Sequence, residues 1–161
     1  MNAGVIKVAD KNGVFVIKMV GDIRLTLSLS FDEFIEDMFA SDRFCSVIFD
    51  LSEAVAIDST TLGLMAKISL LGRARKHMDP IVISNNVGIT RLLDSMGFTE
   101  LLQLVESADF GHVDFKTLGV SDELDESEVR KKVIEAHRSL VDMNATNRET
   151  FKELLRTLES S

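Results

Sequence analysis

Residues 45–52, CSVIFDLS, are apolar nearly throughout. Such a run suits a strand buried on both faces of a sheet, and the segments around it must supply the cover. Residues 4–9, GVIKVA, and 14–20, VFVIKMV, read as strands. The DKNG between them reads as a hairpin turn, because Asn-Gly tolerates positive φ. Gly21-Asp22 breaks the second strand. Leu27, Phe31, Phe34, Ile35, Met38 and Phe39 then recur at helical spacing within 27–40, with acids on the opposite face and Ser28 and Ser30 as candidate caps.

Beyond the buried run, residues 59–76, STTLGLMAKISLLGRARK, predict a helix. Leu62, Met65, Ala66, Ser69 and Leu70 share one face, and the basic residues within 73–76 suit the negative end of the helix dipole. PIVISN at 80–85 predicts a fourth strand, VGITRLLDSMGF at 87–98 a short helix closed by Gly97, and ELLQLVES at 100–107 a last short strand or turn. The order β-β-α-β-α-β-α, with a final β open, is that of an α/β domain over residues 1–110, with hairpin strands first and crossover units after.

Residues 111–120 break the periodicity and read as a linker. Residues 121–161 contain neither Gly nor Pro and read as a helical extension, one broken helix or two. Val129, Val133, Ile134, His137, Leu140 and Val141 form one apolar stripe; Phe151, Leu154, Leu155 and Leu158 form another. Thr146 with Glu149 three residues on is a capping-box pattern that places a break near 144–146. Two arrangements stay open: a helical hairpin packed on the domain or on a second copy, giving a homodimer through the C-terminal helices, or an element that docks a partner.

The net charge of -8 argues against a general nucleic-acid or anionic-membrane binder, since both need clustered Lys and Arg. Cys45 stands alone, which excludes an intramolecular disulfide and fits a reducing compartment; its strand context predicts a buried core thiol. The first residues, MNAGVIKVADKNG, lack the apolar core of a signal peptide, and no apolar run reaches the length of a membrane span. A cytoplasmic protein is expected.

Several chemistries find no support. Neither G-x-x-x-x-G-K-[ST] nor G-x-G-x-x-G is present, and His77, His112 and His137 have no ligand spacing. Ser59 has no identifiable base and no G-x-S-x-G elbow. Asp50 ends the third strand, as in a phosphoreceiver domain, but the acidic pair and the later Lys are missing. His137 in EAHRSLVD lacks the Lys-Gly that usually follows a phosphotransfer histidine, so packing is its expected role. No enzymatic activity, cofactor or metal is expected.

The stretch FDLSEAVAIDSTTLG, 49–63, passes from strand into helix through Asp58-Ser59-Thr60-Thr61. Asp50-Leu51-Ser52, then Asp58-Ser59-Thr60 with Leu62-Gly63, together with Gly21-Asp22-Ile23 and the later SNNVGITRLLDSMGFTELLQL, resemble a STAS domain, the fold of bacterial anti-sigma factor antagonists. The resemblance covers about residues 4–107. Thr61 departs from it, standing where the motif usually has its first glycine. The resemblance implies an α/β STAS-like domain with a mixed β-sheet flanked by helices, here followed by the helical extension.

It also implies a non-enzymatic, partner-switching protein of signal transduction and transcription regulation. Unphosphorylated, such a protein binds an anti-sigma factor that is also a serine kinase with a histidine-kinase-like ATP fold; Ser/Thr phosphorylation releases it, and a metal-dependent serine/threonine phosphatase reverses the mark. Ser59 is the first choice of acceptor, Thr60 the second and Thr61 a distant third. Asp22, Arg24, Asp58, Ser59, Thr60, Thr61 and Leu62 would form the partner surface. Asp50 and Ser52 would organise the loop. The same pattern also admits a constitutive STAS scaffold or small-ligand sensor that is never phosphorylated, and Asp58 or Ser59 could act as a helix cap alone.

Overall fold

A computed structural model describes residues 4–120 and 125–160 of the chain. Residues 121–124, where the helical extension was expected to begin, lie outside it, as do 1–3 and 161. The elements are β1 (Val5–Lys11), β2 (Val14–Ile23), α1 (Leu25–Ala40), β3 (Ser46–Ile57), α2 (Ser59–Lys76), β4 (Ile81–Ile83), α3 (Val87–Ser95), a 3-10 turn (Phe98–Glu100), β5 (Gln103–Val105), β6 (Lys116–Thr117), α4 (Glu126–Met143) and α5 (Ala145–Glu159). The expected α/β class, with a mixed sheet flanked by helices and a helical C-terminal extension, is present.

The sheet has six strands in the order β5-β4-β3-β2-β1-β6. β1 runs antiparallel to β2 and β6, while β2, β3, β4 and β5 are parallel neighbours. Its first hairpin turns through Asn12 (φ 53°) and Gly13 (φ 91°), the left-handed pair that an Asn-Gly sequence accepts at least cost. Asp10 Oδ1 accepts from Gly13 N at 2.8 Å and steadies the turn.

Alternate residues of the strands feed two clusters on opposite faces. The main core joins Ile17, Met19, Phe49 and Leu51 to Phe31 and Ile35 of α1, to Leu62 and Met65 of α2 and to Ile89 and Leu93 of α3. The second face holds Val16, Ile48 and Ile83, packed against Phe110, Val113 and Phe115. The burial expected for β3 on both faces is therefore real, but on its second face the cover is an irregular segment rather than helices. Part of the segment read as a linker thus belongs to the fold: β6 pairs with β1, and Leu118 N donates to Ile6 O at 2.9 Å.

Local expectations met mixed outcomes. Neither Ser28 nor Ser30 caps α1: the N-cap is Arg24 with no side-chain bond, and Ser28 Oγ donates to Leu25 O inside the helix. Asp32, expected on a solvated face, is 5 % exposed, for a reason that lies in α4. Cys45 is exposed, because it precedes the first residue of β3 instead of lying within it. The extension breaks where expected, but Asn144 caps α5 by accepting from Asn147 N at 2.8 Å, in place of the Thr146 box. Among the described residues no helix is long and apolar enough to cross a membrane.

Candidate functional site

β2 and β3 run side by side to their ends, with Ile23 opposite Ile57. Asp58 N donates to Ile23 O at 3.1 Å, which fixes the point where β3 hands over to α2. Asp58 is the N-cap of α2: its backbone is extended and its Oδ1 accepts from Thr61 N at 2.8 Å. Ser59 and Thr60 occupy the first two helical positions, where backbone N–H groups have no intrahelical acceptor and the dipole favours negative charge.

The seven residues expected at a partner surface divide by depth. Asp22, Arg24, Asp58 and Ser59 reach the surface, and Arg24 Nε donates to Asp22 Oδ2 at 2.8 Å beside the β2 end. Thr60 is 8 % exposed, Thr61 0 % and Leu62 1 %. Thr61 and Leu62 thus point into the core and support the loop, which corrects their placement on a binding surface and removes Thr61 as an acceptor. Thr61 Oγ1 is buried without a hydrogen-bond partner among the described residues. Asp50 and Ser52, expected at the strand end and in the loop, lie within β3, which runs on to Ile57; there Asp50 Oδ1 accepts from Ser52 N at 3.0 Å and from Ser52 Oγ at 2.6 Å, beside the register shift against β2.

Sequence reasoning missed His137, and its finding that Ser59 has no nearby base is overturned. His137 lies 78 residues away in sequence, yet its Nε2 is 2.8 Å from Ser59 Oγ. Its Nδ1 is 2.7 Å from Val133 O, which can only accept, so Nδ1 carries the proton. In the neutral ring Nε2 is then an acceptor, and the Ser59 hydroxyl donates to it. His137 is 2 % exposed and its ring meets that of Phe151 edge-on at 5.5 Å between centroids. The expected packing role is thus correct but incomplete; a polar side chain in an apolar stripe needs a partner once buried, and that need was the available signal.

What brings His137 there is the docking of α4 along α2. Gly63, one turn beyond Ser59, faces the backbone of Ala136: a Cβ added at Gly63 would stand 2.2 Å from Ala136 O. Only glycine admits so close an approach. Above this contact, Lys132 of α4 reaches Asp32 of α1 at 2.6 Å, and Lys67 of α2 reaches the same carboxylate at 3.1 Å and Glu36 at 2.6 Å. Below it, Asn147 Nδ2 donates to Met96 O and to Leu140 O, each at 2.9 Å, and Asn144 Nδ2 donates to Met96 O at 3.2 Å. The hairpin of α4 and α5 is therefore held at three points, with Ser59 next to the middle one.

Burial alone would raise the Asp32 pKa, but the Lys132 and Lys67 ammoniums outweigh it and hold the carboxyl below its ordinary value. A carboxyl depressed on folding stabilises the protein above its unfolded pKa, about 3.9, and that contribution is lost as pH falls through the lower folded value. Hairpin docking should therefore hold at pH 5 and weaken progressively below about pH 4. Amide NMR shifts of α4 followed through an acid titration check this; Asp32→Asn should abolish the transition.

Clefts of about 510 Å³ beside Thr90 and Arg91 and of about 420 Å³ between α1, α2 and α4 do not include Ser59. The hydroxyl lies in neither of these hollows. Among the described residues no group of three or more His, Cys, Asp or Glu side chains is placed to hold a metal ion. No protein-family model matches the chain, and no curated protein matches it.

Proposed function

We propose that the chain is a partner-switching protein of the anti-sigma factor antagonist type, built on a STAS-like domain and controlled by phosphorylation of Ser59. The observation that carries this reading is the Asp58-capped start of α2, which presents a half-buried serine hydroxyl at the end of the helix that tolerates an anion. A phosphate there brings roughly -1.5 to -2 of charge to the start of α2. Asp58 precedes it in the chain, and Asp58 N donates to Ile23 O, which lies between Asp22 and Arg24 in sequence, so the added charge falls near the surface proposed for the partner. Thr60, at 8 % exposure, is the poorer acceptor.

The partner is an anti-sigma factor with serine-kinase activity and a histidine-kinase-like ATP fold, and a metal-dependent serine/threonine phosphatase resets the switch. The protein itself supplies no catalysis and needs no cofactor, and it acts in the cytoplasm. A pull-down from the native host, wild type against Ser59→Asp and read by mass spectrometry, tests this directly. Recovery of such a kinase with wild type alone is the expected result. Equal recovery of the same proteins with both would instead favour a constitutive scaffold.

A further inference from the structure

The hairpin of α4 and α5 meets the Ser59 hydroxyl through His137, one turn from the closest approach of α4 to α2. Gly63 sits four residues beyond Ser59 on the same face of α2, and the helices are too close there for any side chain, since a single carbon added would lie 2.2 Å from Ala136 O. The next residue of α4, His137, closes the gap to Ser59 Oγ at 2.8 Å. Rotating the His137 ring away would break the bond from its Nδ1 to Val133 O and disturb its edge-on contact with Phe151.

We infer that phosphorylation of Ser59 and docking of the hairpin are mutually exclusive, so that α4 is an internal occupant of the switch surface and the phosphate expels it. This rests on the reading of Ser59 as a phosphoacceptor. Transfer of the γ-phosphoryl group from a nucleoside triphosphate makes an Oγ–P bond, breaks the bond from the γ-phosphorus to the bridging oxygen of the nucleoside diphosphate, and passes the hydroxyl proton to water, leaving His137 neutral. The bond to the neutral His137 ring loses its donor in that step, and acceptor oxygens of the phosphate are brought against the acceptor Nε2. The α2 N-terminus still favours the anion, so the phosphate stays on the domain and the hairpin leaves. Linkage makes the effect reciprocal: a docked hairpin disfavours phosphorylation by the factor with which the phosphate disfavours docking. Release uncovers the α2 face around Gly63, Leu64 and Ile68, together with Ala136, His137 and Leu140 of the hairpin.

The test needs no partner. The full chain is prepared with phosphoserine at 59, and amide hydrogen exchange is compared with wild type and with Ser59→Ala. Exchange across α4 should rise at least tenfold with phosphoserine, with protection in β2 and β3 unchanged, and should exceed the rise in Ser59→Ala, which removes the bond to His137 but adds no group. Unchanged or slower exchange of α4 would overturn the inference. Acylation of His137 by diethyl pyrocarbonate in Ser59→Glu is a second reading, expected to be faster than in wild type and contrary to the inference if it is not. Loss of sheet protection in both the phosphoserine and the glutamate chains would also overturn it, because the inference requires the domain to survive. Release of α4 combined with a pull-down that recovers no kinase would leave the gate standing and remove the antagonist reading; the reverse combination would do the opposite.

Discussion

Replacing Gly63 by alanine should detach the C-terminal hairpin while leaving the α/β domain folded. The substitution favours α2 by itself, since alanine exceeds glycine in helix propensity by about 1 kcal/mol. Its one added carbon nevertheless meets backbone, at 2.2 Å from Ala136 O and 2.5 Å from Ala136 C, and neither can rotate away. The helices must separate by more than an ångström. That separation stretches the Ser59–His137 bond and the Lys132–Asp32 pair on either side of the contact. Overpacking of this kind costs about 1–3 kcal/mol, all of it charged to docking. Hydrogen exchange should show α4 and α5 opening at least tenfold more often, with β2 and β3 protected as before. Wild-type protection in α4 would show that the helices slide to absorb the carbon, and would remove the steric basis for a closed contact.

Phe49→Ala should act on the whole molecule instead. Phe49 lies on the central strand β3, between Ile17 of β2 and Val82 of β4, and is 0 % exposed. Truncating such a side chain leaves a cavity that the paired strands on both sides cannot collapse, at a cost of about 3–5 kcal/mol. For a domain whose total stability is about 5–15 kcal/mol, that is a large part of the whole. Urea denaturation followed by circular dichroism should show the midpoint falling sharply, with sheet and helices lost together. A midpoint within the error of wild type would mean that the β3 core is not the common support of the fold.

The two variants separate what could be read along the chain from what could not. Alternation and helical spacing located the elements around β3, and the Asn-Gly turn set the first hairpin, because each of these depends on residues a few positions apart. Asp58 as cap and Ser59 at the first turn of α2 were legible for the same reason. Cys45 went wrong by one residue of strand boundary, and the α1 cap failed because Arg24 ended the loop before either serine was reached. The α2 helix held a clue that one apolar stripe did not exhaust: Leu64 and Ile68 fall outside it, and both are buried. A helix apolar on more than one face is covered on more than one face, and α4 is the second cover.

The sequence by itself determined the class of the fold, the strand-to-helix handover at Asp58, and a serine placed where an anion is welcome, since local backbone chemistry suffices for each. It also set the composition of the hairpin stripes. Only the tertiary structure decided that the first of those stripes closes over α2 while α5 packs on α4, that Asp32 is shared by two lysines from different helices, and that His137 meets Ser59 across 78 residues. Such contacts follow from the rotation and crossing of packed helices, which a single glycine permits here. No spacing rule along one chain contains that geometry.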